Sequence, residues 1–188
     1  MFVFALHEQL EYMTLEQYEK LPENVRVEIF EDIAYDMAGA SSTHQRISMR
    51  LSTILNNYIM EKDGKCEVFH APYDVKLSDD PLTIVQPDIM VICDPEKIDE
   101  KRCNGAPDFI IEIVSPGNPE NDYVRKLYYY EKSGVREYWI VDPERKIVTV
   151  NDFAHGVLSV QHDFSETVKV NIYEDLEIDF KEVEAVVL

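Results

Sequence analysis

"DFIIEIVS", residues 108–115, decides how the rest of the chain is read. Phe109, Ile110, Ile111, Ile113 and Val114 are apolar on both alternating faces, the pattern of a strand covered on both sides in the middle of a sheet. Glu112 breaks the run. A carboxylate among such neighbours costs several kcal/mol if it is buried without a partner. The next residue on its own face is Val114, so a cationic partner has to arrive from another element.

Upstream, "TIVQPDIMVICD" (83–94) reads as a second strong strand, with Gln86, Asp88, Met90 and Ile92 on one face. Pairing of the two strands would let Asp88 and Glu112 project together. Neighbouring carboxylates repel unless a cation joins them, and a hard, oxygen-seeking ion such as Mg²⁺ suits that arrangement. Taken singly, each acid is more simply structural: Asp88 follows Pro87 and could merely start its strand.

Outward from this pair, "MTLEQYEKLPEN" (13–24) predicts a short helix with a Thr14–Gln17 capping box, ended by Pro22. "VRVEIFEDIAYDM" (25–37) alternates as a hairpin around Glu31-Asp32. "SSTHQRISMRLSTILNNYIMEK" (41–62) is the clearest helix, capped by Ser42 or Thr43, with Ile47, Leu51, Ile54, Leu55, Tyr58 and Ile59 as its apolar stripe. "KCEVFHAPYDVKL" (65–77) is strand-like and broken near Pro72. "NDYVRKLYYYEKSG" (121–134) predicts a second helix, capped by Asn121 or Asp122 and stopped at Gly134. A strand, "VREYWIVD" (135–142), and a C-terminal β-meander follow. The order implies one α/β domain over residues 1–188, a mixed central sheet flanked by helices.

The net charge of −19, from 37 acidic against 18 basic residues, argues against tight, nonspecific binding to nucleic acid and against an anionic membrane surface. No apolar run approaches the roughly 18 residues of a membrane span. The opening "MFVFALHEQL" lacks the basic n-region of a signal peptide. Cys66, Cys93 and Cys103 are odd in number, widely spaced and form no CxxC; they imply a reducing, cytoplasmic setting, with Cys66 and Cys93 as small apolar strand residues.

Several stretches in order, "TLEQYEKLPE", "VRVEIFEDIAYDM", "HQRIS", "VQPDIMVICDPEKIDE", "GAPDFIIEIVSPGN" and "DYVRKLYYYEKSGVREYWIVDP", resemble the bacterial "putative restriction endonuclease" family of the PD-(D/E)xK nuclease superfamily. The resemblance implies a restriction-endonuclease-like core and a Mg²⁺-dependent (or Mn²⁺-dependent) endonuclease acting on nucleic acid, DNA in the first place, as a homodimer. Asp88, Glu112 and the backbone carbonyl of Ile113 would bind the metal. The lysine usually found two residues after the Glu is replaced by Val114, and the matching cation is Lys126 on the following helix. Read alone, Lys126 is a solvated helix lysine with Asp122 four residues before it. Glu28, His44, Gln86 and Asp122 are candidate supporting residues around the same site. Two departures from the family pattern stand out: "SPGNPEND" follows the Glu where Ser and Thr residues are usual, and the first hairpin lacks its usual turn glycine. The acidic charge and the absence of any Lys/Arg-rich run motivate an alternative, a nuclease-fold binding or regulatory module without efficient cleavage. Tyr128, Tyr129, Tyr130 and Trp139 read as packing residues.

Overall fold

The computed structural model describes residues 11–22, 24–37, 39–115 and 121–187, and of Glu11, Asn121 and Asp122 the backbone alone. In chain order the elements are β1 (Glu11–Tyr12), α1 (Leu15–Tyr18), β2 (Val27–Phe30), β3 (Ile33–Asp36), α2 (Ser42–Glu61), β4 (Glu67–His70), β5 (Asp74–Asp79), β6 (Leu82–Val85), β7 (Ile89–Ile92), β8 (Arg102–Asn104) and β9 (Phe109–Ile113). A π-helical turn, Asn121–Lys126, leads into α3 (Leu127–Ser133). Then come β10 (Glu137–Asp142), β11 (Ile147–Asp152), β12 (Val157–Asp163), β13 (Thr167–Lys169), β14 (Glu177–Asp179) and α4 (Phe180–Glu184).

β9 is central because neither of its faces can be left in water. It runs parallel to β10 and antiparallel to β7 in a mixed sheet of order β12-β11-β10-β9-β7-β4. Phe109, Ile111 and Ile113 pack beneath Ile47, Leu51, Leu55 and Ile59 of α2, whose four-residue spacing sets one stripe on the sheet. Each such side chain contributes about 1.5–3 kcal/mol by leaving water. Ile110 and Val114 point the other way, into a core shared with Tyr130 of α3 and with Phe30, Val75 and Val85 of a second sheet, order β1-β3-β2-β6-β5-β8. The protein is therefore a mixed α/β structure in layers: α2 and α4 on one face of the larger sheet, α3 and the second sheet on the other.

Several local readings hold in detail. Thr14 and Gln17 form the capping box. Glu31 and Asp32 make the hairpin turn with φ of 49° and 67°. No glycine is needed there because the turn is tied to β6: Asp32 N–H donates to Leu82 O at 2.9 Å, and Leu82 N–H donates to Asp32 Oδ1 at 2.8 Å. Gly134 closes α3 at φ 92°, a conformation that a side chain resists.

Others differ, each for a physical reason. The helix cap is Ser41, whose hydroxyl accepts from His44 N–H, rather than Ser42 or Thr43. Residues 83–94 are not one strand. Pro87 lacks an N–H and restricts Gln86, so the chain leaves β6 in one sheet and enters β7 in the other. The trailing meander ends at β12; β13 departs to pair with β14 in a ribbon, and Val168, Ile178 and Phe180 close the core over the α2 side.

Cys66 and Cys93 are not separate apolar residues. They form a disulfide, with Cα atoms 3.9 Å apart. The β4–β7 ladder pairs Glu67 with Ile92, so the next pair outward is Cys66 with Cys93. Their 27-residue separation hides a cross-strand contact, and the reducing setting inferred from them loses that support. Cys103 is free and buried, and burial pushes its thiol up to about 11. No described helix is long and apolar enough to cross a membrane.

Candidate active site

The break at Pro87 and the end of β9 bring the acidic pair together. β7 and β9 pair Met90 with Ile110 and Ile89 with Ile111 in antiparallel register, so the next pair outward is Asp88 with Glu112, on the α3 side with Met90 and Ile110. The Asp88 backbone N–H points to Glu112 Oε2 at 3.4 Å, and Ile113 N–H donates to Asp88 Oδ2 at 2.8 Å. His44, in the first turn of α2, lies with Nε2 2.9 Å from the same Asp88 oxygen. Its other ring nitrogen, Nδ1, is buried without a partner among the described residues. Gln86 does not share a strand face with Asp88; it stands on the other side of the break.

Glu112 receives its cation from α3's side of the sheet. Lys126 Nζ lies 2.9 Å from Glu112 Oε1 and 3.0 Å from Glu28 Oε1, with all three side chains about 95% or more buried. Glu28 comes from β2, in the other sheet. One lysine thus joins the two sheets through a carboxylate from each. A pair so deep costs several kcal/mol per ion in lost hydration, which only close contacts and further hydrogen bonds offset. Tyr130 supplies one such bond, donating its hydroxyl to Glu112 Oε1 at 2.6 Å. Burial first, and then Glu112 and Glu28, raise the Tyr130 hydroxyl well above its ordinary value, so it stays a donor.

A packing role alone is therefore incomplete for Tyr130. The signal in the sequence is its position four residues after Lys126, which helical spacing sets on the same side. A second network has no such signal. Gln86 N–H donates to Glu28 Oε1 at 3.1 Å. The Gln86 side chain donates to Asp74 Oδ1 at 2.9 Å, and its carbonyl accepts from Arg26 Nε and Nη2 at 2.9 and 2.8 Å. Tyr18 donates to the same Asp74 oxygen at 2.8 Å, and burial with that carboxylate holds the Tyr18 hydroxyl far above its usual range. Asp122, a candidate helix cap or lysine partner, has its side chain outside the described residues.

The donor chemistry suits a hard divalent ion. Asp88 and Glu112 bring carboxylate oxygens to the same strand end, and Ile113 adds main-chain polarity between them. Among the described residues no three His, Cys, Asp or Glu side chains converge into a ready cage. A Mg²⁺-type ion, which keeps several waters and uses one or two carboxylates, does not require one.

Two paired strands with acids at their ends, a lysine reaching over from a helix and a mixed sheet between helical and β layers define a restriction-endonuclease-like protein. Residues 15–181 match the model of the family Uma2, described as "putative restriction endonuclease", and the chain belongs to that family. Over 103 residues it is 29% identical to the uncharacterized protein slr1290 of Synechocystis sp. (strain ATCC 27184 / PCC 6803 / Kazusa), a match covering 55% of this chain and 53% of that one. The match thus spans about half the length of that curated relative. The fold is similar to a crystal structure described as "a putative nuclease belonging to DUF820" from Anabaena variabilis ATCC 29413, with a TM-score of 0.77 at 20% identity, covering 94% of this chain and 99% of the other.

Proposed function

We propose that the protein is a divalent-metal-dependent nuclease that hydrolyses phosphodiester bonds in DNA. The observation that carries this reading is the convergence of Asp88, Glu112 and Lys126 at the end of β9, in a chain of this family. Asp88, Glu112 and the Ile113 carbonyl would hold Mg²⁺ or Mn²⁺, which when bound lowers the pKa of a water and neutralises charge on the phosphate. The rest falls to side chains. Lys126 and Tyr130 fix one oxygen of Glu112, and His44 fixes one oxygen of Asp88. Lys126 keeps an ammonium beside the acids, able to orient the attacking water and to stabilise charge on the phosphoryl oxygens. The water gives a proton to bulk solvent as its oxygen bonds to phosphorus; the P–O3′ bond breaks, and the 3′ oxygen takes up a proton from solvent. The products are a 5′-phosphate and a 3′-hydroxyl.

Cleavage of duplex and single-stranded DNA with Mg²⁺ or Mn²⁺, by wild type and Glu112→Ala, tests the reading. Activity that survives the substitution sinks it. The net charge of −19 favours one rival, a fold retained for binding. Calorimetric titration with Mg²⁺ and Mn²⁺ decides: no metal uptake, together with a Glu112→Gln variant more stable than wild type, selects the rival. A homodimer through the tyrosine-bearing side of α3 belongs to the same proposal. Val124 and Tyr128 expose apolar surface there, and light scattering measures the assembly.

A further inference from the structure

We infer that Arg26 and Arg125 hold backbone phosphates of the substrate on either side of the scissile one. The inference rests on the nuclease reading above and extends it to how so acidic a chain grips a polyanion. The acids outnumber the bases by 37 to 18, so an arginine here has many carboxylates to pair with. Arg50, Arg102 and Arg136 do so, with Glu182, Glu19 and Asp108. Among the described residues Arg26 and Arg125 do not, and neither do Arg46 and Arg145, but those two are exposed whereas Arg26 and Arg125 are half-buried. Both are held by neutral groups instead.

Arg26 is positioned by an amide. Gln86 Oε1 accepts from its Nε and Nη2, and Gln86 is itself oriented by Asp74 and Tyr18. A guanidinium carries five N–H donors, so three remain for another acceptor. Arg125 is positioned by rings: its guanidinium carbon lies 4.0 Å from the Tyr35 centroid and 5.4 Å from that of Phe30. Stacking fixes the plane and leaves the donors at its edge available. Neither guanidinium has a carboxylate directly on it among the described residues, and half-burial leaves both groups open to solvent.

Their placement brackets the site. Met37 N–H donates to Arg26 O at 3.1 Å, which extends the β2–β3 ladder to Arg26 and sets its side chain on the face of Glu28, two residues away. Tyr35 is the cross-strand partner of Glu28 on that same face. Arg125 adjoins Lys126, whose ammonium reaches Glu28. One cation therefore lies to each side of the Glu28–Lys126–Glu112 cluster. Arginine suits the task because its planar fork matches phosphate oxygens.

The test is fluorescence anisotropy of a labelled duplex and of its single strand, in EDTA across a KCl series, with wild type, Arg26→Ala, Arg125→Ala and the two Arg→Lys variants. Circular dichroism confirms that each variant is folded, and the lysine variants report on charge if an alanine variant is not. Each alanine variant is expected to bind about tenfold more weakly. The slope of log K against log salt should shrink by about 0.9 on duplex, or about 0.7 on single strand, for each phosphate no longer held. The lysine variants should retain the slope. In Mg²⁺, the alanine variants should raise KM and leave kcat within about twofold, as loss of uniform binding does. If wild type binds and the alanine variants keep its slope, the inference falls while the nuclease reading stands. If wild type neither binds nor cleaves DNA, both fall.

Discussion

Two buried glutamates sit on neighbouring parallel strands and are treated in opposite ways. Glu112 on β9 faces the α3 layer; Glu137 on β10 faces the ribbon beside α2. Glu137 is fully buried and is met by neutral donors: Trp139 Nε1 at 2.7 Å and Asn171 Nδ2 at 3.0 Å on one oxygen, Ile172 N–H at 2.9 Å on the other. These bonds pin the chain before β14 to the larger sheet. Glu112 is met by an ammonium and a phenol and stands beside a second acid, Asp88. A carboxylate fixed by neutral donors is a fastener. One that shares a cation with another acid, near a third, is costly to build, and such clusters gather where chemistry is done.

The largest effect should come from Lys126→Met. Cleavage is expected to fall by about 10²–10³-fold, the usual cost of losing a positioned group that stabilises charge in the transition state. Stability should fall by about 3–5 kcal/mol, because Glu28 and Glu112 are left buried without their cation. Cleavage assays and urea unfolding measure the two. A variant as stable as wild type would mean that the Glu112 cluster is no more demanding than Glu137.

Next comes Glu137→Gln. The amide can replace only one of the two acceptor oxygens, so Ile172 N–H or the Trp139–Asn171 side faces another donor. The expected loss is about 1–3 kcal/mol, with kcat unchanged. A drop in kcat with full stability would erase the distinction between fastener and site.

Tyr130→Phe probes the Glu112 side more gently. It removes one hydrogen bond to a charged oxygen and leaves the ring packed against Tyr138, for about 1.5–3 kcal/mol. A partner that only orients a ligand typically changes activity by about 10–100-fold. Unaltered metal-dependent cleavage would return Tyr130 to a packing role.

The two glutamates are unequally legible. Glu112 announces itself because Ile110, Ile111, Ile113 and Val114 surround it in one short window. Its meeting with Asp88 follows from strand parity once β7 and β9 pair. Lys126 does not follow from parity, because a helix lysine with an acid four residues away is usually a surface pair; only the family resemblance singles it out. Glu137 reads as an ordinary strand acid, since its partners Asn171 and Ile172 lie more than thirty residues on, in a loop whose path no local pattern predicts. The split of residues 83–94 between two sheets and the Cys66–Cys93 bond are hidden for the same reason: sheet membership and cross-strand register are set by distant strands.

The smallest effect separates the two acids by pH. Burial raises the Glu137 carboxyl above its ordinary value, against hydrogen bonds from Asn171, Trp139 and Ile172 that lower it. The native state therefore holds the proton more tightly than the unfolded chain does. Stability from the protonated form is complete below the ordinary carboxylate value and is lost as pH rises through the raised one. Glu137→Gln cannot titrate. Its deficit relative to wild type should thus shrink as pH rises above the ordinary carboxylate value, by a fraction of the total loss. Urea unfolding of both proteins across that series measures the gap. A constant gap would mean that the three donors at least balance desolvation and that Glu137 is ionised throughout the series.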